Sequence, residues 1–420
     1  MKVNLVILLV CTVSVFLPNA FAEIKVETVV DGLNIPWELV FAPDDSIYFT
    51  ERDGKLWHIE DDGTLKLIAE FPASNTYEGG LLGLALDPDF EKNNFLYLYQ
   101  TYVEFPSHQN KVVRFTISND HLKDEVILID NIPGALWHDG GRIHFGPDGM
   151  LYISTGDAIN PSLSQDIKSL AGKILRINND GTIPDDNPFE NSSVFSYGHR
   201  NPQGFDWHPE SKILVATEHG PSGERGRAHD EVNVIYSGKN YGWPEIIGDE
   251  TREGLENPII HTGDATWAPS GAAFYDSQNI LDWYGKYFVA TLRGEHLRML
   301  DLDLENNQVK SSTALFSGEF GRLRSANMSP EGDLYILTSN QDGRGDPTSN
   351  DDRILKITPI ITSPKGDSSM PPLKQIQSGI LAENVSCKIG MSLVFKQSNQ
   401  MPVCVMDSSV DRLRQIGWAK

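Results

Sequence analysis

His138 lies nine residues before Pro147 and Asp157 ten residues after it, within WHDGGRIHFGPDGMLYISTGDA (residues 137–158). The Pro147-Asp148-Gly149 run is a turn signal between two apolar-rich stretches, so the segment reads as a β-hairpin. At about 3.3 Å per residue, its two ends return to nearly the same level. The hairpin therefore presents His138 and Asp157 together. An imidazole and a carboxylate at one end of a hairpin are residue types that can carry chemistry, but geometry alone names no reaction. The plainer alternative is a loop histidine with an aspartate capping its own turn.

The same spacing recurs along the chain, and it identifies the elements that must position such residues. A strand, a Pro-Asp or Pro-Glu turn and a second strand are seen in WELVFAPDDSIYFTERDGKLWHI, LLGLALDPDFEKNNFLYLYQ, GRIHFGPDGMLYISTGD, GFDWHPESKILVATEHG and SANMSPEGDLYILTSNQDG. A diverged copy, GAAFYDSQNILDWYGKYFVATLRGEHLRMLDL, lies between the last two. Several copies add a third strand, such as GKLWHIED or GKILRINN. Prolines 43, 88, 147 and 209 step by 45, 59 and 62 residues, which is one four-stranded unit plus loop insertions. Such units cannot stand alone, so the fold expected is all-β, a six-bladed β-propeller over residues 30–360.

Applied to every copy, the register collects Glu78, His138, His199-Arg200-Asn201, Trp267 and Arg322-Leu323-Arg324 before the first strand. After the second strand it collects Glu51-Arg52, Asp157, Glu218-His219-Gly220-Pro221, Arg293 and residues 340–344. A propeller brings these positions around one mouth. Arginines 200, 293, 322, 324 and 344 would converge there, and guanidinium forks suit a carboxylate-bearing ligand.

That cationic mouth contrasts with the whole chain, which carries 58 acidic against 35 basic residues, a net charge of -23. Such a surface repels nucleic acid and anionic membranes, and neither is expected as a partner. Lys2, an apolar run over 5–17 and Ala20-Phe21-Ala22 read as a signal peptide over residues 1–22, with the propeller as 23–360. The run is too short for a membrane span, and an extracytoplasmic location is expected, secreted or periplasm-like. Prolines 364, 371 and 372 mark a linker over 361–375, followed by a small module over 376–420. Its Cys387 and Cys404 read as one disulfide, worth roughly 3 kcal/mol by loop-closure entropy.

Seven stretches, in order, resemble the soluble quinoprotein sugar dehydrogenases. They are EGGLLGLALDPDF, HDGGRIHFGPDGMLYISTGD, LAGKILRI, YGHRNPQGFDWHP, EHGPSGERGRAHDEVNVI with NYGWP, WAPSG, and GRLRSANMSPEGDLYILTSNQDGRGDP with DDRILKI. The resemblance runs from about Ile35 to Ile357 and is closer to the broad-specificity aldose branch than to the classical glucose enzyme. It implies a six-bladed propeller using pyrroloquinoline quinone (PQQ) and calcium to oxidise the C1 hydroxyl of aldoses to lactones, with an external small redox protein or quinone as electron acceptor.

By resemblance, His138 is the base, Asp157 its orienting partner and Arg200 the group over the developing quinone charge. Glu78 contacts the sugar; Arg200, Asn201, Arg293, Arg322 and Arg324 hold PQQ. Arg293 stands where the classical enzyme has lysine. The carbonyls of Gly220 and Pro221 bind the catalytic calcium, and Glu231 and Tyr241 a further one, with Asp249 or Glu250 nearby. Two other readings stay open: a calcium-dependent lactonase and a non-catalytic extracellular ligand-binding propeller.

Overall fold

The computed structural model describes residues 24–72, 77–221, 228–360, 368–378, 380, 382–398 and 400–420. The expected leader, residues 222–227 and residues 361–367 of the expected linker lie outside the described residues. The chain divides into two compact units, Ile24–Thr358 and a smaller one over Pro359–Lys420.

The larger unit holds six four-stranded antiparallel sheets, each a meander in sequence order except the last. Together they form a six-bladed β-propeller. The innermost strands, Pro36–Phe41, Leu81–Leu86, Ile143–Phe145, Pro202–Trp207, Pro269–Phe274 and Leu323–Met328, each open a blade. They are apolar almost throughout because both of their faces are covered by neighbouring blades. Six buried clusters result, one between each pair of adjacent blades; Tyr275, Trp283, Phe288, Leu334 and Ile336, for example, join blades 5 and 6.

Two features depart from the expected pattern. The ring begins at residue 24 rather than 30: Ile24–Val30 is the outermost strand of blade 6, hydrogen-bonded to Ile354–Pro359. The first and last parts of the unit thus close one sheet, and Ile24 and Val26 pack onto the cluster between blades 5 and 6. The second feature is a register shift near the start of the inner strand in five blades, between Pro36 and Glu38, Leu81 and Leu84, Pro202 and Gly204, Pro269 and Ala272, and Leu323 and Ser325. Each bulge re-aims the residues it skips. Those include Trp37, Gln203 and Arg324.

Below these residues the axis is plugged by a buried ion pair. Arg142 pairs with Glu38, stacks 4.2 Å from the Trp37 ring and donates Nε–H to the Gln203 carbonyl at 2.9 Å. Burial raises the Glu38 carboxyl, but Arg142 and His144 outweigh it and bring it to about 2. Blades 1, 3, 4 and 6 meet through this network, since Asn327 also donates to Glu38 at 2.8 Å.

The smaller unit pairs Met391–Phe395 with Pro402–Met406 and joins Cys387 to Cys404 by a disulfide. Among the described residues, no helix is long and apolar enough to cross a membrane.

Candidate active site

At the end of the propeller where each inner strand starts and each second strand stops lies a cleft of about 1270 Å³. All six blades contribute to it. Its lining includes six arginines, 52, 200, 293, 322, 324 and 344, against four carboxylates, Glu78, Asp230, Asp264 and Asp342. A cationic cleft in a chain of net charge -23 concentrates anionic ligands.

The blade 3 hairpin opens into this cleft. Its inner ladder runs only from Ile143↔Ile153 to Phe145↔Leu151, because Gly140 and Gly141 have φ of +65° and +106° and turn the chain out of the sheet. Beyond them the His138 carbonyl accepts the Ala158 N–H at 3.3 Å. Gly156 is obligatory at this crossing: a Cβ there would lie 1.9 Å from the His138 oxygen. His138 itself sits at φ +66°, a strained position for a non-glycine residue, and its N–H donates to Glu78 Oε2 at 3.0 Å.

The imidazole stands in a chain of defined polarity. Nδ1 is 2.7 Å from Asp157 Oδ1, and Nε2 is 2.9 Å from Arg200 Nη2. Arginine has no acceptor, so Nε2 must accept and Nδ1 must carry the proton it donates to Asp157. Asp157 is fully buried and also accepts the Trp243 indole N–H at 2.8 Å and the Ile159 N–H at 2.9 Å. Arg200 donates from Nη1 to the His219 carbonyl at 3.0 Å, and its backbone N–H to Glu218. The result is a histidine locked in the tautomer whose bare nitrogen faces the cleft.

Arg322 and Arg324 form the opposite floor. Asp342 accepts from Arg322 Nη2 at 2.7 Å and Nε at 3.0 Å. Arg324 has only neutral hydrogen-bond partners, Gln203 Oε1 at 3.1 Å and two hydroxyls near 3.4–3.5 Å. Burial therefore pushes its guanidinium down to about 9 despite Asp342. The Nε atoms of Arg52 and Arg324 are buried without a hydrogen-bond partner among the described residues. Such orphaned cationic donors fit an anionic ligand that would supply their acceptors.

Glu78 spans two neighbours, accepting from His138 N–H and from Arg344 Nη1 at 3.1 Å. Burial raises its carboxyl, but His219, His138 and Arg344 more than offset this. Asp230 accepts four donors: Gly220 N–H at 2.9 Å, Thr266 Oγ1 at 3.0 Å, Trp267 N–H at 2.7 Å and Ala268 N–H at 2.8 Å. Gly220 is held so close to the returning chain that a Cβ would meet the Ala228 oxygen at 1.9 Å.

Of the residues expected from the sequence, His138, Glu78, Arg200, Arg293, Arg322, Arg324, Gly220 and Pro221 line the cleft, and Asp157 lies directly behind His138. Asn201 does not line it. It is fully buried, and its Oδ1 accepts the Gly140 N–H at 3.0 Å, supporting the His138 loop from behind. Glu231 and Tyr241 are also outside the lining. Glu231 lies in the third strand of blade 4, its carboxyl raised to about 8 by burial and by Glu218. The Tyr241 hydroxyl donates to the Val234 carbonyl at 2.7 Å. Asp249 is 3.0 Å from His261 Nε2. Roles for Arg52, Gln203, Asp342 and Trp243 were missed; Arg52 and Asp342 fell in the register, whereas Gln203 depends on the bulge and Trp243 on a distant loop.

With this geometry in hand, comparison with known proteins is decisive. Residues 33–355 match the glucose/sorbosone dehydrogenase family. This chain belongs to that family. It is 31% identical to an aldose sugar dehydrogenase of Escherichia coli over 80% of this chain and 94% of the relative. It is 33% identical to quinoprotein glucose dehydrogenase B of Acinetobacter calcoaceticus over 66% of each. The PQQ-bound aldose sugar dehydrogenase of Streptomyces coelicolor superposes with a TM-score of 0.72 at 37% identity, covering 80% of this chain and 98% of that one. Family membership makes this propeller an oxidoreductase of the sugar dehydrogenase kind.

Proposed function

We propose that this chain is an exported quinoprotein that oxidises the anomeric hydroxyl of aldoses to the lactone, with PQQ and calcium as cofactors. The observation that carries the reading is the His138–Asp157–Arg200 chain opening into a cleft of under-compensated guanidinium groups. When bound, PQQ supplies a two-electron hydride acceptor and calcium a Lewis acid on its carbonyl.

The chain's own residues do the rest. Arg322, Arg324 and Arg293 hold carboxylates, and the Nε atoms of Arg324 and Arg52 offer donors that have no partner. The carbonyls of Gly220 and Pro221 are hard oxygen donors suited to calcium; among the described residues no hydrogen bond to either is seen. Glu231 and Tyr241 remain our proposal for a further calcium through their backbone oxygens. Asn201 fixes the His138 loop through Oδ1, and its Nδ2, which has no partner among the described residues, is left to serve the cofactor.

A sugar hydroxyl arriving at His138 Nε2 competes with Arg200 Nη2 for one lone pair. It hands its proton to Nε2, while Asp157 stabilises the imidazolium that forms. The displaced Arg200 N–H is then free to serve an oxygen that gains negative charge. One proton and one hydride leave the C1 centre, which balances oxidation to the lactone. Glu78, anchored by Arg344, is placed beside the base to accept from a neighbouring sugar hydroxyl.

A lactonase would need carboxylates converging on a metal, but here three of the four that line the cleft, Asp342, Glu78 and Asp230, are each engaged by the donors described above. Export rests on the leader-like pattern of residues 1–22 and on the disulfide. The direct test is His138→Ala: turnover with glucose and a dye acceptor falls at least ~10²-fold while PQQ still binds. Unchanged turnover would refute the base assignment.

A further inference from the structure

Trp243 touches both neighbours of the base. It lies in the loop between the third and fourth strands of blade 4, Glu231–Ile235 and Ile260–His261, 86 residues from Asp157. Its indole N–H donates to Asp157 Oδ2 at 2.8 Å, and the Arg200 guanidinium carbon lies 5.5 Å from the centre of its ring. Asp157 Oδ1 meanwhile serves His138 Nδ1 and Ile159 N–H. A buried carboxylate tied through both oxygens cannot turn, so the indole keeps Oδ1 aimed at the imidazole and draws part of the negative charge away from it. The ring face attracts the guanidinium through its quadrupole. When a sugar hydroxyl takes Nε2 from Arg200, that attraction and the His219 carbonyl still hold the guanidinium in place.

Trp243 is itself held from behind. Gln165 Nε2 donates to its carbonyl at 2.7 Å and to Asn240 Oδ1 at 3.1 Å, and Asn240 Nδ2 donates back to Gln165 Oε1 at 2.8 Å. Gln165 ends the short helical turn Ser162–Gln165. Fully buried Lys173 locks that turn: its Nζ donates to the carbonyls of Leu163 at 2.8 Å, Ser164 at 3.0 Å and Ala171 at 2.6 Å, which uses all three ammonium donors. Ser164 Oγ donates in turn to the His199 carbonyl at 2.6 Å, next to Arg200. The loop that follows Asp157 and the loop that carries Trp243 thus form one hydrogen-bonded block behind the base. Packing alone would fill this space with a ring but would not require its N–H to meet a carboxylate.

We propose that Trp243 is a positioning residue for the oxidation: its N–H sets the orientation and basicity of His138 through Asp157, and its ring holds Arg200 ready for the developing charge. The inference rests on the reading of His138 as the base of sugar oxidation. The charged groups facing His138 are Asp157, Arg200 and Glu78, with His219 and Arg344 acting on Glu78 in turn. Trp243→Phe leaves all of these and the ring in place and removes one donor. Asp157 then directs more of its charge to Nδ1–H, the imidazolium is favoured, and the base is lost to protonation at a higher pH.

Two readouts test this in the parent, Trp243→Phe, Trp243→Leu and Gln165→Met. One is the pH profile of kcat/KM for glucose with PQQ, calcium and a dye acceptor. The other is the downfield proton resonance of the His138 Nδ1–H hydrogen bond in the protein without cofactor, assigned by its loss in His138→Ala. In Trp243→Phe the acid limb should rise by about half to one pH unit with PQQ affinity unchanged, and the resonance should move further downfield. Gln165→Met should move both in the same direction, and Trp243→Leu should also lower the plateau about tenfold by removing the ring from Arg200. A lowered rate in Trp243→Phe with limb and resonance both unmoved assigns Trp243 to packing and overturns the proposal. The phenylalanine variant keeps the ring and decides the matter if the leucine variant does not fold. A parent protein that oxidises no aldose defeats the sugar-oxidation reading instead, and the resonance alone then decides the positioning role.

Discussion

At the scale of single residues, the account turns on which nitrogen of His138 is bare. Asp157 fixes that choice, because its two oxygens hold His138 Nδ1–H, Ile159 N–H and the Trp243 indole. Asp157→Asn would present a donor to Nδ1 and favour the opposite tautomer. Turnover should fall by 10²-fold or more with PQQ affinity little changed, measured by steady-state kinetics beside a cofactor titration. The neighbouring Asp139 makes a pH prediction. It is buried, its Oδ1 accepts from Asn110 and Ala135, its Oδ2 has no partner among the described residues, and burial raises it to about 7. A carboxyl raised above its unfolded value stabilises the fold at low pH and loses that contribution as pH climbs towards 7 and beyond. Asp139→Asn, which mimics the neutral acid, should therefore gain on the parent as pH rises from about 4 to 7, its advantage in urea unfolding being larger at pH 8 than at pH 5 by roughly 2–3 kcal/mol. An equal advantage at both pH values would contradict this.

At the scale of elements, the repeated inner-strand bulge and the axial ion pair hold the floor of the site. Glu38 ties Arg142, Asn327 and Ser325 together beneath Trp37 and Arg324. Glu38→Ala leaves a buried guanidinium without its counter-charge and should cost about 3–5 kcal/mol, read as a lowered denaturant midpoint. Loss of PQQ affinity should accompany it even though Glu38 never reaches the cleft. The same elements explain what the sequence could and could not reveal. His138 and Asp157 were legible because a Pro-Asp-Gly turn counts residues on both sides of itself. Gln203 was not, because its direction depends on one extra residue that breaks the alternation of the strand. Asn201 was assigned to the cofactor by resemblance; its Oδ1 accepts the Gly140 N–H, and its Nδ2 has no partner among the described residues.

At the scale of the whole molecule, six blades let six loops meet around one axis, so an acidic protein can gather six arginines at one mouth. The repeat made this ring legible from the turn spacing. Its closure was not: Ile24–Val30 has no Pro-Asp turn, and its partner strand lies more than 320 residues away in sequence. The cationic mouth should make cofactor binding depend on salt, weakening as ionic strength rises, since partly exposed charges are screened. Chelation should yield an inactive apo-protein that calcium and PQQ together restore. Activity surviving complete metal removal would rule out the calcium role.

The central claim is that this cleft binds PQQ and passes electrons to it from an aldose. The most direct measurement is a spectroscopic titration of the purified protein with PQQ in the presence of calcium, followed by glucose and then a dye acceptor. The account predicts saturable PQQ binding, reduction of the bound cofactor on adding glucose, and turnover with the dye. Absence of PQQ binding, or bound cofactor that no aldose reduces, would contradict it.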